Sequence, residues 1–136
     1  MENKTLNVFL NAGVALFCMS TAAAAVTYEC KMTKTDPSNW VPEEVLIQYD
    51  PDTGAVQVAD PISHHFHGGP RQGEVDTDNA KRTTFKWDVK TTNRVGRFTT
   101  MKYRATIMKN NNTVSVTGKP LGYLDNMRSS GTCVVK

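Results

Sequence analysis

All three histidines of this chain fall within Ser63-His64-His65-Phe66-His67-Gly68-Gly69-Pro70. Neutral imidazoles bind zinc or copper, and side chains two residues apart project to the same side of an extended chain. His65 and His67 meet that spacing, with His64 or Asp60 available as a third ligand. Acid would protonate the rings and release a metal, so the cluster also suits a pH-dependent contact. The plainer alternative is a polar loop whose histidines are solvated, with Phe66 alone turned into the core.

A second cluster is electrostatic. The formal net charge of +3 hides a separation along the chain. From Val26 to Ala80 three basic residues face ten acidic ones, whereas from Lys81 to Lys109 nine basic residues are opposed only by Asp88. Lys86, Lys90, Lys102 and Arg104 sit at outward positions of two alternating segments and form a candidate anion-binding face. Anionic lipid headgroups, lipopolysaccharide phosphates and acidic proteins are the partners of matching charge. Nucleic acid is disfavoured, because Phe85, Trp87 and Tyr103 fall on the inward phase and leave no exposed rings for bases. The competing reading is that the acidic first half folds against the basic second half and neutralises it.

The third group is the cysteines. Residues 6 to 17 are an apolar run, followed by Ser20-Thr21-Ala22-Ala23-Ala24-Ala25, the layout of a secretory signal peptide cleaved after Ala25. Its apolar stretch is shorter than the roughly 20 residues a membrane-spanning helix needs. Residues 1–25 are thus expected to be removed with Cys18, leaving a single domain over 26–136 that is periplasmic or secreted, with no transmembrane segment. Cys30 and Cys133 remain, near the two ends of that domain. An even, isolated pair in an oxidising compartment is most simply one disulfide. Catalytic or metal-binding thiols are the alternative, but no CxxC spacing occurs.

Catalytic signatures are missing. The chain contains no GxSxG, GxxxxGK[ST], HExxH or CxxCH. Ser63 beside His64 is no dyad, since adjacent residues of an extended chain point to opposite faces. A non-catalytic protein is expected, with no cofactor unless the histidines hold zinc or copper.

The elements that must position these groups are mostly strands. Phe85, Trp87 and Val89 alternate with polar residues from Arg82 to Thr92, and Met101, Tyr103, Ala105 and Ile107 do so from Arg97 to Lys109. Asn110-Asn111-Asn112 breaks the second run before Thr113–Thr117 resumes it, a hairpin signal. Glu44–Tyr49 and Ala55–Asp60 flank Asp50-Pro51-Asp52-Thr53-Gly54, a second hairpin, and Val26–Met32 and Thr132–Lys136 read as terminal strands. The expectation is an all-β domain, a small antiparallel β-barrel or sandwich of about seven or eight strands, its end strands joined by the disulfide. No segment after the signal shows a helical period. Residues 33–42, 61–73 and 118–131 are expected to be irregular, and such loops on a rigid scaffold are where binding concentrates.

Val26-Thr27-Tyr28-Glu29-Cys30 and Gly131-Thr132-Cys133 resemble the ends of the periplasmic inhibitors of C-type lysozyme. That resemblance implies an eight-stranded antiparallel barrel fastened at its ends by a disulfide, and a surface loop that plugs an enzyme's active site. The family's mid-chain serine-glycine loop has no counterpart, as Ser129-Ser130-Gly131 lies near the terminus. The functional expectation is an exported binding protein using residues 64–71 and the basic strands, with inhibition of a cell-wall-degrading enzyme or periplasmic metal binding as alternatives.

Overall fold

A computed structural model describes residues 25–136. Residues 1–24 of the expected signal peptide, Cys18 among them, lie outside the described residues. The alternating segments become strands because each buries one face. In chain order the elements are β1 (Val26–Lys34), β2 (Glu44–Tyr49), β3 (Val56–Ala59), α1 (Pro61–His67), β4 (Arg71–Asp78), β5 (Arg82–Thr92), β6 (Phe98–Met108), β7 (Thr113–Pro120) and β8 (Met127–Val135). Every strand pairs antiparallel with its sequence neighbour, and β8 returns to β1, closing an eight-stranded up-and-down barrel. Closure leaves no free edge. It also decides between the barrel and the sandwich that the alternation alone left open.

The interior is packed with side chains. The inward phase read from β5 and β6 is the observed one, with Phe85, Trp87, Val89, Met101, Tyr103, Ala105 and Ile107 all buried. Tyr28 and Tyr49 pack their rings 5.5 and 5.4 Å from Phe85, and Trp87 stacks on Tyr103 at 5.4 Å. Rings of this size fill the bore of an eight-stranded barrel, so its middle is a core and not a ligand cavity.

Cys30 and Cys133 are directly opposite in the β1–β8 pairing and form a disulfide. The covalent strap therefore lies on the seam where the barrel closes. Gly131 stands opposite Met32 beside a register shift in β1. A Cβ at 131 would run into the Lys31 carbonyl oxygen, so glycine is what lets the two strands approach here.

Three expectations are corrected. Residues 61–67 are helical, because Asp60 caps the N-terminus through bonds from the Ile62 and Ser63 N–H groups, Pro61 starts the helix, and Gly68 ends it in the left-handed conformation. Residues 71–73 open β4, a strand with Val75 as its one apolar residue. Residues 118–131 are largely paired, in the ends of β7 and β8.

Candidate functional site

The up-and-down topology sorts the connections onto two ends. At one end lie the tight turns 50–55, 79–81 and 109–112 together with residues 25 and 136. At the other lie 35–43, α1 with its flanks, 93–97 and 121–126. We refer to these as the turn end and the crowded end.

The crowded end is built over the mouth of the barrel. Asp36 organises the β1–β2 connection, its carboxylate accepting from the Ser38 and Arg128 N–H groups while its own N–H donates to Ser129 Oγ. Hydrogen bonding from Ser38 holds its carboxyl below the usual range. Val41 and Pro42 then turn inward and are buried. The Tyr103 hydroxyl donates to the Trp40 carbonyl at 2.6 Å, so the floor of the mouth is tied to its cover. Burial pushes the Tyr103 hydroxyl well above its ordinary pKa, which keeps it a donor. Trp40 stacks on Phe66 of α1, with ring centroids 6.2 Å apart. What remains beside Trp40 is a hollow of about 180 Å³ lined by Thr91, Met101, Tyr123 and Met127 among others.

The histidines lie on this end but do not converge. Successive helical residues turn by about 100°, so the same-side geometry of an extended chain no longer applies to His65 and His67. His64 lines an outer groove with Glu29 and Glu44, whereas His65 lies beside Phe66 in a hollow that Trp40 and Arg94 also line. His67 Nε2 accepts the Lys90 backbone N–H at 3.1 Å. An accepting Nε2 requires a neutral ring with its proton on Nδ1, and Nδ1 lies 3.5 Å from the Arg71 guanidinium. Burial, then Arg71 and Lys90, hold the His67 pKa below 6.5. Asp60 is buried and committed to capping α1, with Ser63 Oγ donating to its second oxygen. Among the described residues no three histidine, cysteine or acidic side chains are gathered around a point that would hold a metal ion. Ser63 itself is fully buried, which removes it from any surface chemistry.

The basic strand residues do share one outer face, since Lys86 pairs with Arg104 and Asp88 with Lys102. That face is largely neutralised. Lys86 contacts Asp76 at 3.2 Å and Glu74 at 3.6 Å, Arg104 pairs with Asp76, and Lys102 lies 3.4 Å from Asp88. Hydrogen bonding and charge between Lys86 and Asp76 raise the lysine pKa and lower that of the carboxyl. β4, the strand without an apolar pattern, is thus the acidic strip that meets the basic half of the chain. Lys90 and Lys119 make no ion pair among the described residues.

Sequence reasoning missed a different feature of the crowded end. Of eight large apolar side chains exposed among the described residues, Val95, Phe98, Leu121, Tyr123 and Leu124 lie in or beside the β5–β6 and β7–β8 connections. Leu124 is 95% exposed, Phe98 86% and Val95 78%. Local chemistry forces these residues outward. Asn93 Oδ1 accepts the Val95 and Arg97 N–H groups, and Gly96 at φ 77° reverses the chain, which leaves Val95 at the tip. In the neighbouring connection the Tyr123 N–H donates to the Pro120 carbonyl across Gly122 at φ 87°, the form of a type II turn. The Leu121 N–H donates to the Thr100 carbonyl, which carries the β6–β7 ladder one residue into the β7–β8 connection. One signal was present: Phe98 falls on the outward phase of β6, with Thr100 and Lys102.

Comparison with known protein families, curated proteins and solved structures finds no match to this chain.

Proposed function

We propose that this chain is an exported, non-catalytic binding protein whose contact surface is the crowded end of its barrel. The observation that carries this reading is the concentration of exposed apolar side chains there, five of the eight among the described residues, on or beside two connections that carry hydrogen bonds of their own. Exposed apolar groups gathered in one place mark interaction surfaces, whereas the same residues scattered singly would carry no meaning. The packed interior argues in the same direction, because a barrel without a lumen must bind from outside. The strand face of Lys86, Lys102 and Arg104 contributes less, as its cations already face carboxylates.

A photoreactive residue placed at Leu124 should give a discrete adduct with an envelope component in the native host, and one placed at Lys81 on the turn end should not. Equal labelling from both ends, or none from Leu124, overturns the reading.

An eight-stranded barrel strapped through its end strands is also the architecture that the resemblance to C-type lysozyme inhibitors implies, and it favours a second reading as an inhibitor of a cell-wall-degrading enzyme. Lysozyme assayed with an excess of the purified protein tests it. Unchanged rates across several lysozymes remove it.

A further inference from the structure

We propose that the occupant of the crowded end is the surface of an anionic phospholipid bilayer, with Val95, Phe98, Leu121 and Leu124 entering the headgroup–acyl boundary and a band of cations meeting the phosphates behind them. The inference rests on the crowded end being the contact surface and names what it contacts.

The argument is one of layering. Phe98 and Leu121 end the outward-facing rows of β6 and β7, on the same phase as Lys102 and Lys119 further along those strands. Two residues along a strand is about 7 Å, so Lys119 follows one step behind Leu121. Lys119 shares its row with Lys102, whose charge Asp88 faces, while Lys90 is register-paired with Thr100 and lies in the row of Leu121. Along β6 and β7 the apolar tip comes first and a lysine follows, the order in which a bilayer presents its acyl boundary and its phosphates to an approaching protein. A protein partner would ask for another pattern, an apolar centre ringed by polar residues in one plane. Arg94 and Arg97 flank Val95 at the tip, where long side chains keep their guanidinium groups at headgroup level while their stems lie along the apolar layer. Tyr123 has the amphipathic ring favoured at membrane interfaces. Charge on the two apolar connections and the strand ends beside them agrees: across residues 93–98 and 119–126 there are three cations, Arg94, Arg97 and Lys119, against Asp125, whereas the acidic Asp36 and Glu43 lie apart on the β1–β2 connection. None of those three cations makes an ion pair among the described residues.

The test is flotation of the purified protein with vesicles of phosphatidylcholine alone and of equimolar phosphatidylcholine and phosphatidylglycerol. Retention is expected on the mixed vesicles only, and it should fall as salt is raised. Replacing Arg94→Gln and Arg97→Gln together should weaken retention at low salt by roughly thirtyfold, from the typical contribution of a cation near an anionic surface. Replacing Phe98→Ser and Leu124→Ser together should weaken it by about tenfold or more. All four side chains are exposed, so an unchanged thermal melt is expected of both double variants. In a Phe98→Trp variant the indole emission should shift to the blue on mixed vesicles, and in a Lys81→Trp variant it should not.

No retention on mixed vesicles, equal retention on neutral ones, or an unshifted Phe98→Trp emission overturns the lipid assignment. If vesicles fail while the Leu124 adduct persists on a protein, the crowded end remains the contact surface and its partner is an acid-rimmed protein. If both fail, both readings fall.

Discussion

The two ends of this barrel reverse their strands with the same kind of asparagine and aspartate caps but differ in what they leave facing solvent. At the turn end polar side chains close the chain on itself: Asn79 Oδ1 accepts the Lys81 and Arg82 N–H groups, Asn111 Oδ1 accepts from the Thr113 N–H and hydroxyl, and Asp50 Oδ1 accepts from Asp52. At the crowded end the chain is held by Asp36, Asn93 and the Trp40–Phe66 stack, while apolar side chains are pushed into solvent. The turn end leaves fewer apolar residues uncovered, Val134 and Val135 beside its terminal residue. The crowded end leaves apolar surface uncovered, which costs solubility and is sensible only if something covers it.

The largest expected effect belongs to neither end and calibrates the comparison. Replacing Cys30 and Cys133 by alanine removes a closed loop spanning a sequence separation of 103 residues. On the chain-entropy account this lowers stability by roughly 4 to 5 kcal/mol. Because the strap sits on the β1–β8 seam, urea unfolding of the variant should shift to lower denaturant as one transition, with amide exchange accelerated at both ends alike. Selective loss at the crowded end would mean that the seam supports that end alone.

Local lesions should separate the ends. Trp40→Ala removes a half-buried indole that stacks on Phe66, at a cost of about 2 to 3 kcal/mol. Hydrogen exchange should quicken in α1 and around Val41 while the turns at 79–81 and 109–112 keep their protection. Asn79→Ala deprives two N–H groups of their acceptor and should cost about 1 kcal/mol, with changes confined to the turn end. A Trp40→Ala variant that loosened the turn end equally would show that the barrel has no independent ends.

The contrast also explains what could be read from the residues alone. β5 and β6 were legible because each has one face in the core and one in water, so that Phe85, Trp87 and Val89 alternate with charges. The disulfide was legible because only two cysteines lie outside the segment expected to be a signal peptide. β4 was not, since its inward positions Arg71, Gly73 and Val75 are mostly not apolar and a register shift after Val75 breaks the alternation. Glycine is required at 73, where a Cβ would lie 2.9 Å from the Lys86 carbonyl oxygen and close to Val56 and Val58. Neighbouring strands fill the space that an apolar residue would otherwise announce. α1 is too short to show a period, yet its caps, Asp60-Pro61 at the start and Gly68 at the end, were available to a reading of signals instead of periods. The apolar tips escaped because an apolar residue beside a strand is first assigned to the core. Only the phase of Phe98 spoke against that.

The smallest effect is the most selective, because acid should reach the two ends at different pH. At the crowded end His67 must be neutral to accept the Lys90 N–H, and its pKa in the fold lies below the ordinary 6.5. The unfolded chain therefore takes up this proton first as pH falls. The stabilisation is complete above about 6.5, declines as pH drops through the folded value, and is then gone. At the turn end Asp78 accepts from Lys109, Thr83 and Tyr49, and hydrogen bonding to Lys109 above all holds its carboxyl below the ordinary 3.8. That stabilisation is intact above 3.8 and is lost only as pH falls through the lower folded value. Amide exchange followed from neutral to mildly acidic pH, corrected for the intrinsic rate, should show the Lys90 amide and α1 losing protection while Asn79, Arg82 and Lys109 hold theirs. His67→Gln, whose amide oxygen can accept the same bond without titrating, should flatten the response at α1. Uniform loosening at both ends over that range, or an unaltered response in the glutamine variant, would show that His67 is not what makes the crowded end the softer one in acid.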